Sequence, residues 1–249
     1  MVGRKSARGA TGRRALVGRK GARVGGPRPA RRRPATGPSL VSLLSLVLLP
    51  ALLTLGVTLL RLTGERLGWS PRFFSTLPGG GLSIVGITWL IPVVGFYLGD
   101  RLTRLRAAPR SLARAAGLPL AGLALVPIVA GIATRSGFGE APTGHLGVWA
   151  VASLVGLVVA WGGWPKLGSL LLAYALAARI PVALVMWLAM RGDWGTHYDA
   201  LPPGFPPMIP SVLWLWTGLL PQLTIWVALT VIVGGLLGAV AWRLAADSV

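Results

Sequence analysis

From Ser39 onward the chain is a succession of long apolar runs parted by short polar segments. The runs fall at about Ser39–Leu60, Gly81–Gly99, Ala116–Thr134, Leu146–Trp164, Leu167–Met190 and Ser211–Trp242. A hydrocarbon core of roughly 30 Å takes about 20 helical residues, so each run is long enough to cross it. None offers the polar face that a helix on a soluble core needs. The last run exceeds one crossing. Pro221 is expected to divide it into an interfacial turn, Ser211–Leu220, and the span proper, residues 221–242. The pattern therefore predicts an all-α, polytopic integral membrane protein with about six transmembrane helices over residues 39–249.

Proline and small residues refine these spans. Pro50, Pro92, Pro127, Pro181 and Pro221 each interrupt an apolar run, and each removes a backbone hydrogen bond and can kink its helix. Ala152, Gly156 and Ala160 recur at helix-contact spacing in the fourth run, and Gly234 and Gly238 in the sixth. Such positions let helix backbones approach closely. Their expected partners are other spans of this chain, with a homo-oligomer as the alternative. Trp161, Trp164, Trp187, Trp194, Trp214, Trp216 and Trp242 sit mostly near span ends, as interfacial anchors do.

Charge changes the picture at the N-terminus. Residues 1–38 hold 12 of the 25 Lys+Arg and no acidic or aromatic residue. A segment rich in Gly, Ala, Pro and Arg buries too little apolar surface to offset its ordering entropy, so a disordered, basic, cytoplasmic tail is expected. Anionic lipid headgroups are its expected partner. The lack of aromatic residues to stack on bases argues against nucleic acid. Arg outnumbers Lys 22 to 3, a bias typical of GC-rich coding, and a shorter chain beginning near Leu40 is the alternative to a genuine tail. With six spans, 19 Lys/Arg flank the side that carries the tail and 5 the other. This asymmetry predicts a multi-pass protein of the cell membrane with both termini cytoplasmic. The loop holding Arg101, Arg104, Arg106, Arg110 and Arg114, interleaved with Leu102, Leu105 and Leu112, reads as a second contact with anionic headgroups.

Candidate chemistry is sparse. With no Cys, thiol nucleophiles, disulfides and Cys-ligated metal centres are excluded. No G-x-S-x-G, no phosphate loop and no pair of intramembrane carboxylates occurs, so no catalytic residue is assigned and no cofactor or bound metal is expected. Arg179 is the one charge well inside an apolar run. A cation there costs at least about 2.5–3.5 kcal/mol on insertion scales, and such residues mark pathways and ligand sites. Tyr174 and Gln222 lie at comparable depth and complete a tentative ligand-binding set with Arg179. The rival is a structural Arg satisfied by carbonyls and hydroxyls, among them the Ala177 carbonyl, which Pro181 leaves free. No acid is expected within a span to neutralise Arg179. A second polar cluster comprises Asp193, His197 and Asp199 in one outer loop, with Glu140 and His145 on the same side. The spacing D-x3-H-x-D is a weak metal signature, and an ordered, proline-stiffened lid is the preferred reading.

These observations favour a membrane protein that is not an enzyme, either permease-like or a membrane-organising subunit, handling a small anionic or lipidic ligand. The alternatives are a scaffold whose basic tail recruits lipid or a cytoplasmic partner, and a membrane enzyme using Asp193, His197 and Asp199. Proton-driven transport is disfavoured by the expected lack of Asp, Glu or His within the spans.

Overall fold

A computed structural model of the chain describes residues 40–81 and 83–246, with side chains from residue 45 on. The basic tail, residues 1–38, lies outside them. The described residues are helical with no strand. The long helices are α1 (Leu40–Arg66), α3 (Leu112–Arg135), α4 (Pro142–Trp161) and α5 (Pro165–Gly192). A shorter α2 (Leu90–Arg104) lies between the first two. The C-terminal rod comprises α6 (Pro210–Leu213), a π-helical stretch (Trp214–Leu219), α7 (Leu220–Leu223) and α8 (Ile225–Ala246).

Five helical stretches are long and apolar enough to cross a membrane, the last being Pro210–Ala246 taken as one. Their outward faces carry bare hydrocarbon: Leu49, Ile132 and Val158 are 67%, 61% and 68% exposed. Water tolerates no such continuous apolar surface on a monomer, whereas acyl chains do.

The sixth expected crossing is where the structure departs from the sequence pattern. Residues 83–89 of the run Gly81–Gly99 are not helical, and α2 begins only at Leu90. Its 15 residues rise about 22 Å, short of a hydrocarbon core. The physical reason is local. Gly79, Gly80 and Gly81 all hold positive φ, a conformation no helix accommodates. Pro92 consequently falls in the first turn of α2, where its missing N–H costs nothing. It is not the mid-span kink the pattern predicts. At its other end α2 continues through Asp100 to Arg104, with Arg104 Nε donating to Asp100 at 2.8 Å, so the expected basic loop shrinks to residues 105–111.

The break in the last run also moves. The chain passes through Pro221 in helical conformation and is interrupted at Thr224 (φ −115°, ψ −72°). Proline has no N–H to give the carbonyl one turn back. The π-helical stretch Trp214–Leu219 sits just before it and shifts the bonding register by one residue. The expected separation of an interfacial turn from the span at Pro221 is therefore corrected to a helix that bends without ending there.

Glycine contacts hold the bundle together. A Cβ on Gly95 would fall on the backbone of Gly234, and one on Gly99 on the backbone of Gly238. The equal spacing means that α2 and α8 run parallel, backbone against backbone. In the same way Gly122 of α3 packs on Gly156 of α4, with Ala160 beside it. Thus the small-residue faces noted in the sequence meet other helices of the same chain. The core they enclose centres on Leu98, Leu102, Leu167, Leu171, Tyr174 and Val231.

At one end of the bundle Trp164 Nε1 donates to the Ala107 carbonyl at 3.0 Å, tying the α2–α3 and α4–α5 loops. At the opposite end Arg66 Nη1 donates to the Trp194 carbonyl at 3.0 Å, tying the tip of α1 to the loop after α5.

Candidate functional site

The site begins with a polar stripe on α1. Thr54, Thr58, Arg61 and Glu65 recur at intervals of four, three and four residues, so they share one face of the helix. All four are buried. The first crossing does not end at Leu60, as the apolar run implies. It extends to Arg66 and carries an ion pair inward: Arg61 Nε donates to Glu65 Oε1 at 2.7 Å, with the Glu65 side chain fully enclosed. Arg61 Nη2 also donates to the carbonyls of Ser75 (3.1 Å) and Gly80 (2.9 Å) and to Ser83 Oγ (3.2 Å). The guanidinium thereby organises the irregular segment before α2. Gly80 leaves the room, since a Cβ there would meet Arg61 Nη2.

Glu65 also anchors the outer loop. His197 donates its backbone N–H to Glu65 Oε2 at 2.9 Å, and its Nδ1 lies 2.8 Å from the same oxygen and 2.6 Å from Oε1. A carboxylate accepts only, so the imidazole proton sits on Nδ1 and Nε2 keeps its lone pair. Tyr198 packs against that ring, tilted by 44° with centroids 3.9 Å apart, and donates its hydroxyl to the Thr58 carbonyl at 3.2 Å. Burial, and then the negative charge of Glu65, push the Tyr198 phenol up, which keeps it a donor.

Burial pushes the His197 imidazole below its ordinary value of 6.5. The Glu65 hydrogen bond pulls the other way, Arg61 adds to the lowering, and the charges of Glu65 and Asp199 oppose it. The folded protein thus favours the neutral ring more than the unfolded chain does. The corresponding stability is complete above the unfolded value near 6.5 and is lost as pH falls through the lower folded value. The melting temperature in detergent should hold steady from about pH 8 to about pH 7 and decline below about pH 6.5, and His197→Gln should flatten that decline. An unchanged slope in the variant would assign the decline to other groups.

The intramembrane set comes together next. Arg179, on α5, is 4% exposed. Its Nη1 donates to Gln222 Oε1 at 3.3 Å, and its Cζ lies 4.6 Å from the Trp226 ring centroid. Gln222 is fixed in turn by Nε2 against Met186 Sδ at 3.7 Å. Tyr174 is buried on the same helix as Arg179. Its hydroxyl donates to Thr54 Oγ1 at 2.9 Å, because the Thr54 proton is committed to the Pro50 carbonyl. Of the three tentative ligand residues, Arg179 and Gln222 are thus in contact, whereas Tyr174 turns to Thr54. No backbone carbonyl or hydroxyl among the described residues accepts from Arg179. Among the described residues Gln222 accepts its only hydrogen bond, and an indole face supplies the rest.

Arg179 and Gln222 open onto a cavity of ≈ 290 Å³ that is also lined by Arg61, His197 and Tyr198. Its apolar wall includes Val182, Met186, Phe205 and Trp226. Glu65 balances Arg61, and Asp199 spends its carboxylate on the amides of Gly195 and Thr196 and the Thr196 hydroxyl. Among the described residues Arg179 is left as the uncompensated charge of the cavity. Ligand pockets of about 300–1,000 Å³ with an apolar wall and a few convergent polar groups are the common form.

The outer-loop cluster does not assemble as a unit. His197 turns inward to Glu65, and Asp199 turns back onto its own loop. Asp193 ends α5 in the left-handed conformation (φ 47°). His145 is exposed and accepts at Nε2 from Trp149 Nε1 (2.9 Å), and Glu140 is exposed. Conversely, Arg61, one of the five Lys/Arg counted on the outer flank, and Glu65, which no motif in the sequence singles out, are central. Glu65 is the acid expected to be missing from the spans, although it serves Arg61 and His197, not Arg179. The premise against a protonatable group in the spans therefore fails. The Thr54–Thr58–Arg61–Glu65 periodicity was the signal that could have found them.

No family model matches the chain, and no curated protein or solved structure matches it either.

Proposed function

We propose that the chain is a non-enzymatic integral membrane protein, a permease-like or membrane-organising subunit that holds a small anionic or lipidic ligand at Arg179. The observation that carries this reading is the cavity reached by a buried guanidinium without an acidic partner. An isolated buried cation is costly, and a bound anion relieves that cost. Gln222 and the Trp226 face orient the guanidinium, so its remaining N–H groups are pre-aligned for a carboxylate or phosphate.

In the same reading the irregular residues 83–89 together with α2 complete a sixth crossing. The parallel packing of α2 on α8 supports this, as does the contact of the α2–α3 loop with Trp164. Both termini then lie on one face, which the Lys/Arg asymmetry assigns to the cytoplasm. The cavity opens toward the outer face, and the basic residues Arg101–Arg114 lie on cytoplasmic headgroups.

Purified protein in a non-ionic detergent should be stabilised by inorganic phosphate or by dodecyl phosphate. Arg179→Gln should abolish the stabilisation and Arg179→Lys should retain part of it. Stabilisation that survives in Arg179→Gln would remove this function.

A further inference from the structure

A second hollow of ≈ 790 Å³ adjoins the first, and Arg61, Gly79, Thr88 and Trp226 line both. Its walls are of a different kind. Ile84, Ile91 and Pro92 form one side, and Leu229 and Val233 of α8 form the other. These are hydrocarbon surfaces at the depth of the spans, and Ile84 is 64% exposed.

The hollow follows from how α2 is built. The glycine contacts fix residues 95 and 99 against 234 and 238. One and two turns back along α8, the matching residues of its parallel neighbour are 91 and 87, and α2 starts only at Leu90. Above that point α8 faces the irregular segment that Arg61 binds, not a helix. The result is a lateral groove between lipid and the cationic cavity.

We propose that the ligand is an amphiphile with one anionic head, which seats the head against Arg179 and lays its hydrocarbon chain in the groove between α2 and α8. This rests on the anion-binding reading above and deepens it. The cavity at Arg179 has the volume of a headgroup and one uncompensated positive charge. The adjoining groove is apolar, larger, and open at the side. A free hydrophilic anion has no use for that groove, whereas a lipid that enters sideways from the bilayer fills both. Phosphate and carboxylate heads share the chemistry that a guanidinium recognises in two parallel N–H···O bonds.

The test uses full-length protein in neutral phosphatidylcholine nanodiscs, titrated with inorganic phosphate, dodecyl phosphate and dodecanol. Any amphiphile concentrates in a bilayer, so the deciding comparison is between variants for a given ligand. Val233→Trp fills the groove and should weaken dodecyl phosphate by about tenfold or more while leaving inorganic phosphate unchanged. Arg179→Gln should abolish both. A dodecyl phosphate carrying a terminal diazirine, photolysed on the wild-type protein, should label α2 and α8 near Ile91 and Val233, a result independent of how Val233→Trp folds. Labelling elsewhere, or equal binding of dodecyl phosphate by wild type and Val233→Trp, overturns the chain placement and leaves the anion site standing. Binding of dodecanol as tight as dodecyl phosphate removes the role of the head. Failure of both anions to bind the wild type overturns the proposed function along with this inference.

Discussion

Glu65→Ala is expected to cost about 3–5 kcal/mol of folding stability, the range observed when one partner of a buried ion pair is deleted. The carboxylate is fully enclosed and serves two elements at once. Its loss strands the Arg61 guanidinium in an enclosed site, leaves the His197 Nδ1–H and backbone N–H without an acceptor, and releases the outer loop from α1. Glu65→Gln should cost less, because an amide oxygen still accepts one of those bonds. The paired change Arg61→Met with Glu65→Met should recover only the part due to the stranded charge, since the His197 N–H groups and the Ser75 and Gly80 carbonyls still lose their partners. Thermal unfolding in detergent at about pH 7.5, with loop release followed by proteolysis between residues 193 and 209, measures both effects. A Glu65→Ala protein within about 1 kcal/mol of wild type would mean that the ion pair is not enclosed in the membrane-embedded protein.

Gly95→Ala is the second large effect. One methyl group placed against the Gly234 backbone cannot be absorbed by a side-chain rotation, because the obstacle is main chain. The two helices must separate, at a cost of about 3 kcal/mol or more for overpacking at a rigid contact. Gly99→Ala should behave alike against Gly238. Gly56→Ala and Gly131→Ala are the matched controls, since neither added Cβ would meet an atom within 4 Å. They should be neutral or stabilising by up to about 1 kcal/mol through helix propensity. Equal melting temperatures for Gly95→Ala and Gly131→Ala would show that α2 and α8 are not in backbone contact.

The greater part of the membrane architecture was readable from the chain. Apolar length alone selects five of the helices, because a backbone in hydrocarbon must satisfy its own hydrogen bonds and only a helix does so locally. Arg179 was readable as well, since an isolated charge in such a run is conspicuous. Gln222 and Tyr174 were readable only as polar residues of similar depth. What hydropathy concealed was the C-terminal end of the first helix. Arg61 and Glu65 look like a solvated flank when counted as charges, yet at four-residue separation they neutralise one another and extend the buried helix by a turn and a half. Similarly, the run Gly81–Gly99 is apolar enough for a crossing, but apolarity does not choose between helix and irregular backbone where three successive glycines at 79–81 favour positive φ.

The sequence by itself determined that this protein is helical, that five of its helices are long and apolar enough to cross a membrane, and that one cation lies among them. Each of these follows from local composition and from the free energy of moving groups into hydrocarbon. Only the tertiary structure decided that Glu65 reaches across 132 positions to His197, that Arg61 shapes the segment before α2, and that Gly95 meets Gly234. Those choices depend on which helix faces lie against each other, and that is set by close packing between distant segments, a quantity no local window of the chain contains.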